Sequence, residues 1–262
     1  MSARDFLIRG LLAGLIAAFA AFGVAYVVGE PPVRAAIALE DSAGGHSHGT
    51  TDAGEHAEAD TPAAGEVEVP RSLQSTLGLL TGLLVAGVTL GGLVGVVSAM
   101  AMGRFGRLTP RSTTLAVAAM AFVAVYAVPF LIYPPNPPAV GSGDTIGLRS
   151  ALYFIVLAIS LIAAVTAVLV GRRLRERFGG WHATLIGVAG YVVVMLVVMA
   201  LLPHYNEVPD SFPASVLYDF RRASFLTQLT LWAVLGVVLA EFVGRLSRSA
   251  SAPERALADA RG

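Results

Sequence analysis

Three of the protein's five histidines lie in one short polar segment, Gly44 to Asp60, between the first two long apolar stretches. Imidazole suits zinc, nickel, copper and iron and carboxylates suit harder cations, so this mixture indicates capture of divalent transition metals. The spacing is too loose for a closed structural site, which needs four ligands at short fixed intervals. A solvated acidic linker that binds no metal is the alternative. The segment contains His46, His48 and His56 together with Asp52, Glu55, Glu58 and Asp60.

A second group of possible ligands follows the fifth apolar stretch, in the segment from Leu202 to Ser224. Its three prolines argue against a regular helix over the first half, which leaves backbone carbonyls free to coordinate an ion. In the alternative, the segment is a folded loop in which Asp219 pairs with Arg221 or Arg222. The predicted ligands in this segment are His204, Glu207 and Asp210.

A third polar segment, YPPNPPAVGSGDTIGLR at 133–149, contains one carboxylate, Asp144. Its four prolines favour an extended, stiff path, and its glycines allow tight turns around Asp144. We therefore expect Asp144 to complete a metal site, with a proline-rich cap that carries no ligand as the alternative.

The composition excludes several kinds of chemistry. The chain has no cysteine and no lysine, which rules out disulfides, thiolate metal sites and lysine-based phosphate or Schiff-base chemistry. It also has no HExxH, GxSxG or Walker motif. We expect no enzyme activity, no permanently bound cofactor and no nucleic-acid partner.

These polar segments interrupt a strongly apolar chain. Of its 262 residues, 55% are hydrophobic and 14% charged, and the mean hydropathy is +0.71. A bilayer core needs roughly 20 apolar residues per helix, and six stretches of that kind predict an all-α polytopic bundle, embedded in lipid as one membrane domain over 1–262. The predicted spans are 6–28, 73–102, 112–132, 150–171, 181–202 and 224–244, with a flexible outer loop at 29–70.

Arginine placement predicts the orientation of this bundle, because short cytoplasmic loops carry an excess of positive charge. Thirteen of the 18 basic residues lie at the termini or in the second and fourth linkers. Both termini are therefore expected in the cytoplasm, in a multi-pass protein of the cytoplasmic membrane, with the histidine segment outside. The first span is expected to be retained; a cleaved signal peptide is the alternative.

Within the predicted spans, Glu241 is the only ionisable residue that comes near the interior. Arg245 lies one helical turn further on, so a local ion pair is expected, with an exit-side metal ligand or proton acceptor as the alternative. Repeated small-xxx-small spacings in the second span predict close packing of another helix, from the same chain or from a partner. The glycines concerned are Gly78, Gly82, Gly87, Gly91 and Gly95.

The sequence resembles the CbtA family, described as the membrane subunit of a predicted cobalt transporter. The resemblance is carried by the first helix with its histidine segment, by PPNPPAVGSGDTIGLRSALY at 134–153 and by LPHYNEVPDSFPASVLYDFRRASFLTQLTLW at 202–232. It implies a link to cobalamin metabolism and a small one-helix partner, CbtB. The family is usually described with five spans, one fewer than the six predicted from hydropathy.

Two functions of different classes remain. In the first, the chain takes up a divalent transition metal, which is expected to be cobalt, with nickel or zinc as alternatives. The histidine segment collects ions, and the mouth is formed by His204, Glu207, Asp210 and Asp144. In the second, it is a non-conducting accessory subunit that docks a partner protein.

Overall fold

In the computed structural model, residues 2–44, 70–106, 108–141, 143–203 and 205–259 are described. Within these ranges every regular element is helical, which confirms the predicted all-α class. His46, His48, His56 and His204 lie outside the described residues. The α-helices are α1 (Ala3–Val24), α2 (Glu30–Gly44), α3 (Arg71–Leu73), α4 (Leu79–Ala101), α5 (Pro110–Phe122), α6 (Val128–Ile132), α7 (Ile146–Leu201) and α8 (Ala214–Asp259).

Five continuous helices in the described part of the chain are long and apolar enough to cross a membrane. One of them contains two of the six predicted spans, because α7 reverses at Gly179, where φ is 74°. Its two halves pack closely: a Cβ added to Gly187 would lie 2.9 Å from the carbonyl oxygen of Ala167. The long helix is therefore an antiparallel hairpin, and the described residues contain six apolar helical segments.

The first helix extends well beyond the predicted end of its span. A π-helical segment, Ala25–Gly29, joins α1 directly to α2, so the predicted outer loop at 29–70 is helical as far as Gly44. Pro31 and Pro32 lie just after this π-helical segment, where the regular α-helical hydrogen bonding is already interrupted, and the helix continues through them. Similar π-helical segments precede α4 at Gln74–Gly78 and α6 at Val123–Ala127.

The glycines of α4 pack against α1 of the same chain. A Cβ added to Gly91 would lie 2.2 Å from the carbonyl oxygen of Gly10, and one added to Gly87 would lie 2.7 Å from that of Gly14. Only glycine allows two helix backbones to approach so closely. The glycine face of α4 therefore packs against a helix of the same chain. Gly82 takes no part in this contact, because nothing lies within 4 Å of its Cβ position.

The core lies where α1, α4, α5 and α8 meet. Ala13, Ala17 and Ala21 of α1 are fully buried, and they pack in the same cluster as Leu235 and Leu239 of α8. The first helix is thus central to the bundle.

The α7 hairpin is peripheral to this core. Only 11% of its most apolar window is buried, compared with 39% in the last helix. The hairpin is joined to the third span by a hydrogen bond from the Ser160 hydroxyl to the carbonyl oxygen of Ala124, 2.7 Å, and Tyr191 lies 2.8 Å from the same hydroxyl. Since Ala124 belongs to a π-helical segment, Ser160 binds a carbonyl at an irregular point of the helix.

Candidate metal-uptake site

Two loops and the start of α7 form a connected polar region on the side opposite the arginine-rich linkers, which is the outer side by the arginine criterion. The first loop follows α6 and the second joins α7 to α8. Prolines and glycines keep both loops out of regular helices, so their side chains and carbonyls are free to meet one another.

Glu207 is the least exposed carboxylate in this region. Its Oε2 atom lies 2.8 Å from a guanidinium nitrogen of Arg149, and the two side chains are 16% and 26% exposed. Thr145 donates a hydrogen bond to the other carboxylate oxygen, Oε1, at 2.5 Å. Both oxygens of the predicted ligand are therefore bound by groups from the first turns of α7, and a metal ion would have to displace them.

Asp144 lies next to this contact, because it occupies the 3₁₀ turn Gly143–Thr145 that precedes α7. Its side chain is exposed, whereas the neighbouring Thr145 is bonded to Glu207. Gly141, with φ of 119°, leaves room for the Arg149 guanidinium, which would lie 2.5 Å from an added Cβ. The predicted ligand Asp144 and the predicted ligand Glu207 thus belong to one local assembly.

Further contacts tie the two outer loops together. The Tyr133 hydroxyl donates to the carbonyl oxygen of Pro203 at 2.8 Å, and burial, together with the nearby Tyr205, raises the pKa of this phenol. Arg221 of α8 donates to Asn136 Oδ1 at 3.0 Å and to the carbonyl oxygen of Pro135 at 3.3 Å. These bonds fix the first loop above the start of α8.

The remaining predicted ligands are less well placed. Asp210 is exposed in a turn of the second loop, and His204 and the three histidines of the long segment lie outside the described residues. Among the residues that the structure describes, no three histidine or carboxylate side chains are grouped to hold a metal ion. The predicted site is thus represented by Glu207 with Asp144 beside it.

The structure also contains a buried carboxylate, Glu30, that was not predicted from the sequence. Its side chain is 8% exposed and lies 2.9 Å from a guanidinium nitrogen of Arg71 and 3.6 Å from that of Arg34. Glu30 begins α2, and Arg71 begins the helix that follows the histidine segment. The ion pair therefore joins the start of α2 to the start of α3. Its only sequence signal is a carboxylate beside two prolines at the end of an apolar stretch.

Two other ion pairs involve carboxylates considered in the sequence. Asp219 pairs with Arg222 at 3.2 Å, the contact that the folded-loop alternative included. Glu241 forms an ion pair with Arg111 of α5, a partner from another helix that was not predicted. Its side chain is 44% exposed, and the most buried carboxylate of the described residues is Glu30.

Comparison with known proteins identifies one family. The model of the family described as "Probable cobalt transporter subunit (CbtA)" matches residues 3–244, nearly the whole chain. No curated protein and no solved structure gives a significant match. The matched range includes every helical segment of the bundle, the histidine segment and both outer loops.

Proposed function

The chain belongs to the CbtA family of probable cobalt transporter subunits, and on that premise we propose that it imports cobalt(II) across the cytoplasmic membrane for cobalamin synthesis. Nickel and zinc are competing substrates, because imidazole and carboxylate ligands bind all three metals in the usual order of affinity. The ion is cargo, held only in transit.

The observation that supports this proposal is the state of Glu207, the least exposed carboxylate of the outer assembly. The carboxylate is held in place by Arg149 and Thr145, so its position is set before any ion arrives. Arg149 is also a single positive charge that a divalent cation can replace. An ion that binds to Glu207 together with the predicted ligands Asp144 and His204 displaces the arginine, and the arginine returns when the ion leaves.

In this scheme the histidine segment delivers ions to the mouth formed by His204, Glu207, Asp210 and Asp144. His46, His48 and His56 lie between α2 and Arg71 in the chain, and Arg71 pairs with Glu30 at the start of α2. A loosely spaced set of histidines binds metal weakly, so captured ions exchange onto Glu207, Asp144 and Asp210. The segment raises the local concentration of metal and matters most when metal is scarce.

The membrane potential is a sufficient energy source for uptake. A cation entering a negative-inside cell gains about 2.3 kcal/mol per charge for each 100 mV, and a divalent ion gains roughly twice that. No ATP-binding loop is needed to drive accumulation.

A second function is favoured by a different observation. The described helices hold no group of three histidine or carboxylate side chains, and the α7 hairpin is largely unburied by the rest of the chain. Both features suit a non-conducting accessory subunit that docks a partner protein, such as a small CbtB-like subunit.

Cobalt uptake by proteoliposomes distinguishes the two functions. The purified chain alone, with an inside-negative potential, is expected to accumulate cobalt faster than protein-free liposomes. If uptake requires co-reconstitution with a small CbtB-like one-helix protein, the accessory function is correct. If the chain accumulates no cobalt in either case, the transport proposal fails.

Substitutions in the outer assembly test the site itself. Glu207→Ala and His204→Ala should impair uptake at all cobalt concentrations, whereas alanine at His46, His48 and His56 should impair it only at low concentrations. If neither set changes uptake, the assigned mouth is wrong.

Arg149→Gln gives a result of opposite sign, because it removes the cation that competes for Glu207. A partly exposed ion pair contributes up to about 1 kcal/mol, so the apparent affinity for cobalt should rise by up to about fivefold. Arg34→Gln is a matched control, since Arg34 is an outer arginine that pairs with a different carboxylate. If Arg149→Gln weakens binding as Glu207→Ala does, Arg149 is only structural and the exchange scheme is refuted.

A further inference from the structure

A cavity of about 430 Å³ opens beside the first turns of α8, and the uptake scheme makes no use of it. Its walls are mainly apolar and aromatic, but two adjacent arginines also line it. The lining includes Phe130, Leu217, Phe225 and Leu226 with Arg221 and Arg222. Hydrocarbon and guanidinium in one cavity match a ligand that has both an apolar and an anionic part.

The two arginines differ in how they are held. Arg221 is fixed by its bonds to Asn136 and to the carbonyl oxygen of Pro135. Arg222 is half exposed and lies 3.2 Å from the equally exposed Asp219, with its guanidinium 5.9 Å from the centre of the Tyr218 ring. Two arginines and one aspartate leave this end of the cavity with an excess positive charge.

The depth of the cavity specifies the ligand further. Arg221 and Arg222 lie just outside the last predicted span, and Tyr218 is exposed at the same level, as tyrosines of a membrane interface usually are. Phe225 and Leu226 lie one turn further toward the bilayer. A phosphate at the level of the arginines would place a lipid chain along these apolar side chains.

We propose that this cavity binds an anionic phospholipid of the outer leaflet, with its phosphate on Arg221 and Arg222 and an acyl chain against Phe130, Phe225 and Leu226. Guanidinium groups bind phosphate through paired, charge-assisted hydrogen bonds. A free phosphate would leave the apolar walls in contact with water, so a lipid fits the whole lining better.

Native mass spectrometry of the full-length protein, delipidated in detergent and titrated with dioleoylphosphatidylglycerol, tests this site. Arg222→Gln should reduce the occupancy of the tightest-bound lipid at least fivefold. Arg177→Gln is the matched control, because Arg177 also lies over an aromatic ring, that of Phe178 at 5.5 Å, but in the linker at the opposite side of the membrane. Unchanged lipid binding in Arg222→Gln, or an equal loss in Arg177→Gln, would overturn the proposal.

A second variant separates the lipid from a free anion and from a folding defect. Leu226→Trp fills the apolar part of the cavity and keeps both arginines, so it should lower lipid binding as strongly as Arg222→Gln. If Leu226→Trp retains the lipid, or if inorganic phosphate at millimolar concentration displaces it, the cavity is not a phospholipid site. Thermal unfolding in lipid-free detergent should give similar midpoints for the variants and the wild type; if Arg222→Gln fails to fold, Leu226→Trp decides the result alone.

Discussion

The contact between α1 and α4 gives the sharpest test of the fold, through Gly91→Ala. The new methyl carbon would lie 2.2 Å from the carbonyl oxygen of Gly10, 2.8 Å from Cα of Gly14 and 2.9 Å from its nitrogen. All three atoms belong to a backbone, so no side-chain rotation relieves the overlap. Because ordinary Cβ contacts begin near 3.4 Å, the two helices must separate by about 1 Å.

Overpacking of this kind costs about 1–3 kcal/mol. Separating the helices also weakens the neighbouring close contacts at Gly87 and Gly95, which lie on the same face. Alanine has the better helix propensity by about 1 kcal/mol, and this gain offsets part of the loss. The overlap is with backbone atoms, so the cost lies toward the upper end of this range, and we expect a net destabilisation of about 1–2 kcal/mol.

Gly82→Ala provides the control, because it makes the same chemical change in the same helix with no atom within 4 Å of the new carbon. It should leave the free energy of unfolding unchanged or raise it by up to about 1 kcal/mol. The two variants are compared by equilibrium unfolding in mixed detergent micelles, with helix content followed by circular dichroism. Equal stability of the two variants would show that α1 and α4 do not cross at this face.

Three further predictions concern buried polar groups. Glu30→Gln should destabilise the protein by about 2–3 kcal/mol, less than the roughly 3–5 kcal/mol of a fully buried pair, because Arg71 is 38% exposed. Glu40 is exposed on the same helix, so Glu40→Gln should leave the unfolding curve unchanged. Equal unfolding curves for the two variants would argue against the ion pair. Ser160→Ala should cost about 0.5–2 kcal/mol in unfolding experiments, because it removes the donor to the third span, and an unchanged curve would mean that the hairpin does not depend on this bond. In metal titrations, Glu207→Gln should weaken cobalt binding while the helix content stays constant, and unaltered binding would remove Glu207 from the site.

Much of the architecture follows from the sequence. The apolar stretches predict the six helical segments, and the glycine spacings of α4 predict a close helix contact. These are local patterns, since each is written within one segment of about 20 residues. The ion pairs were not predictable in the same way: Glu30 and Arg71 are 41 residues apart, and Arg111 and Glu241 are 130 apart.

The candidate site shows the same limit. Glu207 and Asp144 were predicted as metal ligands because they are carboxylates in polar loops. Only the folded chain brings Arg149 and Thr145, which are 58 and 62 residues away in sequence, into contact with Glu207. A carboxylate in a polar loop looks free when the sequence is considered alone. Its actual partners determine what a metal ion must displace.

A π-helical segment changes the direction in which the residues beyond it face around the helix axis. A π turn contains one residue more than an α turn, and one residue corresponds to a rotation of about 100° around the helix axis. The segment Val123–Ala127 therefore rotates Tyr133 and the loop behind it relative to the core residues of α5. Deleting a single residue there would restore an uninterrupted α-helix and turn the Tyr133 contact to Pro203 away from its partner, without any change in the apolar character of the span.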